Sequence, residues 1–299
     1  MSGTPRRRAG ISAAGVLDEA VDLVSRGVPG WAGLLALASL PLRFCEVHLW
    51  NRLAQLGAGA GAQGVAGHVT ALSWLVTLAL LPALWGRAVF VRACLRELSG
   101  AGSGAVSRMP LRQRLLPAGF ASYLYTALIF EALFFALGWT FVAIPLLALF
   151  TGLAAAVSAV SAVSAVSGAP GLDESPGLLA SPLRVVRHCR PPFTLIALTF
   201  VHTVALLVAF LNLTALFWLA LALGDGTAGL DLSWWKGALS WDNRPFVLLL
   251  LAGAVTVVEP FWLASLTVTV RRLRARQSGE DLAAWHAALR AAQEGEEAA

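Results

Sequence analysis

The sequence predicts an all-α, polytopic integral membrane protein with six transmembrane helices and both termini on the cytoplasmic side. Three observations carry that prediction. Hydrophobic residues make up 58% of the 299-residue chain and charged residues only 13%, with a mean hydropathy of +0.72, against roughly 25% charged residues in a soluble domain. The apolar residues fall into runs long enough to cross about 30 Å of hydrocarbon as helices. Arginine clusters stand at alternate ends of those runs, which fixes a direction by the positive-inside rule.

The net charge of +5 and pI near 9.8 point to the anionic face of a bilayer and away from nucleic acid, because the arginines flank apolar runs and form no separable basic domain. Lys236 is the single lysine among 22 basic residues, and the wealth of Ala, Gly and Leu fits a high-GC bacterial source.

Residues 1–30 read as a cytoplasmic N-terminal segment. Arg6-Arg7-Arg8 has no apolar run close behind it, and the first such run is broken by Arg43 and Glu46, so neither a cleaved signal nor a twin-arginine export signal is expected. Gly57-Ala58-Gly59-Ala60 is the stretch that would suit signal peptidase. Between Ile11 and Arg26, Val16, Leu17, Ala20, Val21, Leu23 and Val24 recur at helical spacing opposite Asp18, Glu19 and Asp22. This predicts an interfacial amphipathic helix. Its acidic face suits docking on the protein's own cytoplasmic side better than on anionic lipid.

Residues 31–270 hold the predicted spans. The first, about Trp31 to Leu53, contains Pro41, Arg43, Glu46 and His48; a glycine-rich loop from Gly57 to Gly67 follows. The second, about Val69 to Phe90, has Arg87 near its end and leads through Arg92 and Arg96 to a basic loop ending in Arg108, Arg112 and Arg114. The third, about Leu115 to Leu137, carries Glu131, and the short turn at Gly138-Trp139 makes it a tight hairpin with the fourth, about Thr140 to Val160. The fourth passes into four copies of Ala-Val-Ser from Ala156 to Ser167. A three-residue period drifts around a 3.6-residue helix, so these serines wind around it and line no single face.

After a break rich in Gly and Pro and a basic run of Arg184, Arg187 and Arg190, the fifth span extends from about Phe193 to Leu223 with His202 and Asn212. The loop from Gly224 to Arg244 combines acids with Trp234, Trp235 and Trp241, as an outward interfacial segment does. The sixth span, Phe246 to Val270, is interrupted once, by Glu259-Pro260, and gives way to Arg271-Arg272-Leu273-Arg274-Ala275-Arg276. Residues 271–299 form the basic juxtamembrane segment and a short C-terminal helix, with Ser278 and Asp281 as a capping box and Leu282, Trp285 and Leu289 as its apolar stripe.

A charged side chain at mid-bilayer costs on the order of 3 kcal/mol on insertion scales, so such groups face the bundle and have partners. The candidates for a buried polar network, structural or lining a pathway, are Arg43, Glu46, Glu131, His202 and Glu259, together with Pro260. Arg43 and Glu46 share a helix face, and Arg43 lies at a depth from which it reaches Glu131 or Glu259 across helices in a bidentate pair. Pro260 removes an amide and clashes with the Thr256 carbonyl, which predicts a kink with free backbone acceptors, to one of which a protonated Glu259 would donate.

No catalytic, cofactor-binding or metal-binding residue is indicated. Ser/His/Asp and Cys/His arrangements, paired catalytic carboxylates, HExxH and phosphate-binding glycine loops are absent from the sequence. Cys45, Cys94 and Cys189 have no CxxC or Cys/His ligand spacing, so neither a disulfide framework nor a zinc site is expected.

Val258-Glu259-Pro260-Phe261-Trp262-Leu263-Ala264, followed by Arg271-Arg272 and Gly279-Glu280-Asp281-Leu282, resembles a segment of bacterial integral membrane proteins encoded beside MoxR-type AAA ATPases and von Willebrand A-like proteins. The overall plan of an interfacial helix, a proline-containing first span and six spans broken by basic loops is also similar to the membrane domain of some glycerophosphodiester phosphodiesterases. The first likeness covers about 30 residues, and the chain departs from both families in showing no extramembrane catalytic domain. The resemblance implies an accessory membrane subunit of a cell-envelope assembly and supplies no catalytic residues.

The expected function is therefore a non-enzymatic scaffold in the bacterial inner membrane, with the lipid bilayer and other membrane or cytoplasmic proteins as partners. The alternative is a transporter or channel-like protein that moves a small solute or protons past Arg43, Glu131 and Glu259. The two halves of the chain share no obvious motif, which weighs against a transporter built from repeats. An intramembrane enzyme ranks third.

Overall fold

Each apolar run becomes a helix because a backbone in hydrocarbon must satisfy its own hydrogen bonds. The structure, a computed structural model, describes residues 11–57, 62–99, 120–137, 143–167, 181–187, 189, 192–226 and 233–279. Its helices are α1 (Ala13–Asp22), α2 (Pro29–Gly57), α3 (Ala62–Leu98), α4 (Phe120–Leu137), α5 (Ala143–Ser167), α6 (Ser181–Arg187), α7 (Pro192–Gly226), α8 (Ser233–Ala238) and α9 (Arg244–Ser278). A π-helical turn, Leu23–Gly27, joins α1 to α2. No strand occurs among the described residues.

Four helical segments are long and apolar enough to cross a membrane: Pro29–Leu53, Gly67–Leu98, Pro192–Gly226 and Arg244–Arg276. The chain is a membrane protein. The apolar helices at the third and fourth expected spans, Phe120–Leu133 and Ala148–Ser161, are shorter, and residues 115–119 and 138–142, which would complete those spans, lie outside the described residues. The hairpin turn at Gly138-Trp139 falls there too, although α4 and α5 pack against each other as a hairpin requires.

Three boundaries differ from the sequence reading. The expected glycine-rich loop is mostly helix, since α2 reaches Gly57 and α3 starts at Ala62. The α3 helix also runs on to Leu98, because Val91, Cys94, Leu95 and Leu98 keep apolar residues at helical spacing past Arg87. In α9 the arginine cluster is part of the helix, which ends at Ser278 before Gly279 in the left-handed conformation (φ 73°). Ser278 thus closes one helix, and the expected C-terminal helix from Asp281 onward lies outside the described residues. The Ala-Val-Ser repeat is helical throughout as the end of α5.

Helix α9 is the centre of the bundle. It packs against α1, α2, α3, α5 and α7, and every residue from Trp262 to Val270 is buried. Ser265, Thr267 and Thr269 stay satisfied there by donating to the carbonyls of Phe261, Leu263 and Ser265 at 2.7–2.8 Å. By contrast only 11% of the most apolar window of α7 is buried inside the protein, so α7 turns most of its surface outward.

Two glycines set how closely the helices approach. A Cβ at Gly86 of α3 would lie 2.9 Å from the Ala38 Cβ of α2, and one at Gly152 of α5 would lie 2.5 Å from Leu266 Cδ1 of α9. The α1 helix, N-capped by Ser12, docks on the protein as its acidic face predicts. Glu19 accepts from Arg272 Nη2 at 2.6 Å and Nε at 3.1 Å, and Thr194 of α7 donates to the Ile11 carbonyl at 2.9 Å.

Candidate functional site

Five charged side chains from four helices meet inside the bundle. Arg43 and Glu46 come from α2, Arg87 from α3, Glu131 from α4 and Glu259 from α9. They are collected where α2, α3 and α9 pack together, and the Gly86 contact with Ala38 brings the backbone beside Arg87 close to α2.

Glu259 is the hub. Its Oε1 accepts from Arg87 Nε at 2.6 Å and from Arg43 Nη2 at 3.0 Å. Arg43 turns its other terminal nitrogen, Nη1, back to Glu46 Oε2 at 2.7 Å, the pairing expected of residues one helical turn apart. Glu131 Oε1 faces Arg87 Nη1 at 3.5 Å, an ion pair too long for a normal hydrogen bond. The Tyr123 side chain, on the same helix as Glu131, also adjoins the Arg87 guanidinium. Depth falls off outward from the hub: side-chain exposure is 1% for Arg87 and 5% for Glu259, against 13–14% for Arg43, Glu46 and Glu131.

Electrostatics explains why the arginines gather here. An isolated charge in a low-dielectric interior costs several kcal/mol or more, and only close opposite charges with hydrogen bonds offset that penalty. Two guanidiniums converging on one carboxylate oxygen supply that offset while bringing two positive charges near each other. Glu46 and Glu131 flank the pair on either side.

The candidates named from the sequence sort clearly. Arg43, Glu46, Glu131 and Glu259 belong to the cluster. Arg43 reaches Glu259 through a single nitrogen, so the pair is not bidentate, and Glu131 pairs with Arg87 in its place. Glu259 accepts from two cations and does not donate to a carbonyl freed by proline. The α9 helix runs unbroken through Pro260, which is buried beside the hub.

His202 lies apart. Its Nδ1 contacts the Leu198 carbonyl at 2.7 Å, its Nε2 lies 3.5 Å from Ser265 Oγ, and its ring packs edge-on against Trp262 with centroids 4.7 Å apart. Trp262 in turn donates to the Ala148 carbonyl at 2.9 Å, so this second polar contact ties α7, α9 and α5 together.

Arg87 is the member that sequence reasoning missed. Read as an end-of-span arginine, it looked like part of the basic flank with Arg92 and Arg96. The available signal was the apolar spacing that continues to Leu98, which moves the helix end eleven residues beyond Arg87. Nothing in the sequence pointed to Tyr123.

Among the described residues no group of three or more His, Cys, Asp or Glu side chains is placed to hold a metal ion. The arrangement is suited to neutralising buried charge and fixing helix register. No family model, curated protein or solved structure matches the chain.

Proposed function

We propose that the protein is an accessory scaffold component of a cell-envelope assembly in the bacterial inner membrane, with six spans, both termini cytoplasmic and no catalytic activity. The observation that carries this reading is the commitment of Glu259 to both Arg43 and Arg87. A side chain held by two cations from two other helices acts as a strut, and the bundle it braces is a rigid platform. The platform has a cytoplasmic deck in this reading: α1 is tied to the arginine end of α9 by Glu19 and Arg272, while Asp18 and Asp22 stay exposed for partner proteins. The placement of arginines supports the orientation, since Arg92, Arg96, Arg184, Arg187 and the Arg271–Arg276 cluster would share one side.

The test replaces Glu259 with Gln and with Ala in cells. Loss of the protein from the membrane with both variants supports the structural role; stable protein with lost proton-coupled flux would reject it in favour of transport. Topology reporters at Gly61, Ser103 and Gly229 test the orientation, and a cytoplasmic signal at Gly229 overturns it.

A further inference from the structure

The cluster has more carboxylates than cations. Among the described residues Glu46, Glu131 and Glu259 pair with Arg43 and Arg87, so full ionisation of these five side chains leaves one negative charge unbalanced. A buried unbalanced carboxylate takes up a proton when no cation neutralises it. The described residues offer no convergent set of ligands for a metal ion. A proton is the remaining neutraliser that needs no site of its own.

Geometry singles out the residue that carries it. Glu259 Oε1 accepts two charge-assisted hydrogen bonds and Glu46 Oε2 accepts one of 2.7 Å, whereas Glu131 makes, among the described residues, a single ion pair with Arg87 at 3.5 Å. The titratable and charged groups around Glu131 are Tyr123 on its own helix, Arg87 from α3, Arg43 and Glu46 from α2, and Glu259 from α9. The α5 helix, packed along α4, has no titratable residue from Ala143 to Ser167, and α6 contributes Arg184 and Arg187.

A second observation points the same way. Glu131 Oε1 and the Arg87 Nη1 that faces it at 3.5 Å are both buried without a hydrogen-bond partner among the described residues. A carboxyl held this loosely by its cation keeps its proton more readily than one that accepts a close charge-assisted hydrogen bond.

We infer that the charge cluster is a proton-binding site, with one exchangeable proton held on Glu131 at neutral pH. Proton uptake there restores neutrality, and release leaves Glu131 as an anion facing the already shared Arg87. The site belongs to the bundle whatever partners the protein has.

Infrared difference spectroscopy of the full chain in lipid nanodiscs, recorded in H2O and D2O across pH, tests this directly. The expected result is one protonated-carboxyl C=O band at neutral pH that shifts in D2O and disappears on alkalinisation. It is absent from Glu131→Gln, and in Glu46→Gln, where two carboxylates face two arginines, it is lost at a lower pH than in the parent protein. Should Glu131→Gln fail to fold, Glu131→Asp with 13C-labelled glutamate keeps the question decidable: the label moves the band in the parent protein and leaves it unmoved in the Asp variant. Absence of such a band from the parent protein at neutral pH, its survival in Glu131→Gln, or a label shift that persists in Glu131→Asp would overturn the assignment.

Discussion

Two of the arginine–glutamate contacts in this molecule, Arg272 with Glu19 and Arg87 with Glu259, are chemically alike but physically different. At the arginine end of α9, Arg272 reaches Glu19 at 2.6 Å with side chains 37% and 32% exposed. Inside the bundle, Arg87 reaches Glu259 at the same 2.6 Å with side chains 1% and 5% exposed. Equal distances do not mean equal consequences. Water screens the first pair and can replace either partner. The second pair has no such substitute, so removing one member strands the other in the interior.

The largest effect that separates the two sites is expected from Arg87→Met. It removes the deeper cation and leaves Glu259 with Arg43 alone, at a cost of about 3–5 kcal/mol. A steep fall in thermal unfolding temperature in detergent, together with reduced membrane abundance, checks this; near-normal stability would show that the buried contact behaves like a surface one. Double substitution with Glu259→Gln should cost less than the sum of the two single changes, because each strands what the other removes.

Glycine substitutions come next. At Gly86, an added Cβ meets the Ala38 Cβ at 2.9 Å. That atom sits close to the backbone and cannot swing away, so α2 and α3 must separate, and Gly86→Ala should cost about 1–3 kcal/mol. At Gly15 the added Cβ lies 3.4 Å from Arg272 Nη1, the end of a flexible side chain. Gly15→Ala should therefore be neutral or stabilise by about 0.5–1 kcal/mol through helix propensity. Opposite signs in parallel unfolding measurements would sharpen the comparison, and a loss at both would break it.

Glu19→Ala should change stability by no more than about 1 kcal/mol, and added salt should shrink the difference further. The salt series is the deciding measurement. A salt-insensitive loss would place this contact with the buried cluster.

The smallest change at neutral pH is expected from Glu131→Gln, an isostere of the protonated side chain. Its signature is in pH dependence. When the folded protein holds a proton that the unfolded chain has released, stability declines as pH rises. The parent protein should therefore lose stability as pH rises from the ordinary carboxylate range to the pH at which Glu131 releases its proton, and Glu131→Gln should show a flatter profile over that window. A steeper loss in the variant would contradict the charge balance.

How far the sequence could be read depended on the kind of interaction. The helical runs were legible because apolar spacing is local, and α7 matches its expected limits closely, Pro192–Gly226 against about Phe193 to Leu223. The docking of α1 was legible from the acidity of its polar face. Four of the five cluster residues were visible because charge in a long apolar run is conspicuous. Arg87 was hidden by its neighbours Arg92 and Arg96, which give it the look of a flanking cation. His202 was misleading for the opposite reason: it is conspicuous in an apolar run yet satisfied locally by the Leu198 carbonyl, the Trp262 ring and the Ser265 hydroxyl.

By itself the sequence determined that the chain is helical, that it belongs in a membrane, and which segments are apolar enough to enter it. Those properties follow from periodicity and from the cost of exposing a backbone to hydrocarbon, and both are local. Tertiary structure alone decided that α9 is central while α7, also long and apolar, faces outward. It also decided which carboxylate answers which arginine. Hydropathy cannot distinguish a lipid neighbour from a helical one, because both are equally apolar. A charge pair across helices depends on how closely two backbones approach, and at Gly86 and Gly152 that approach is set by side chains on another helix.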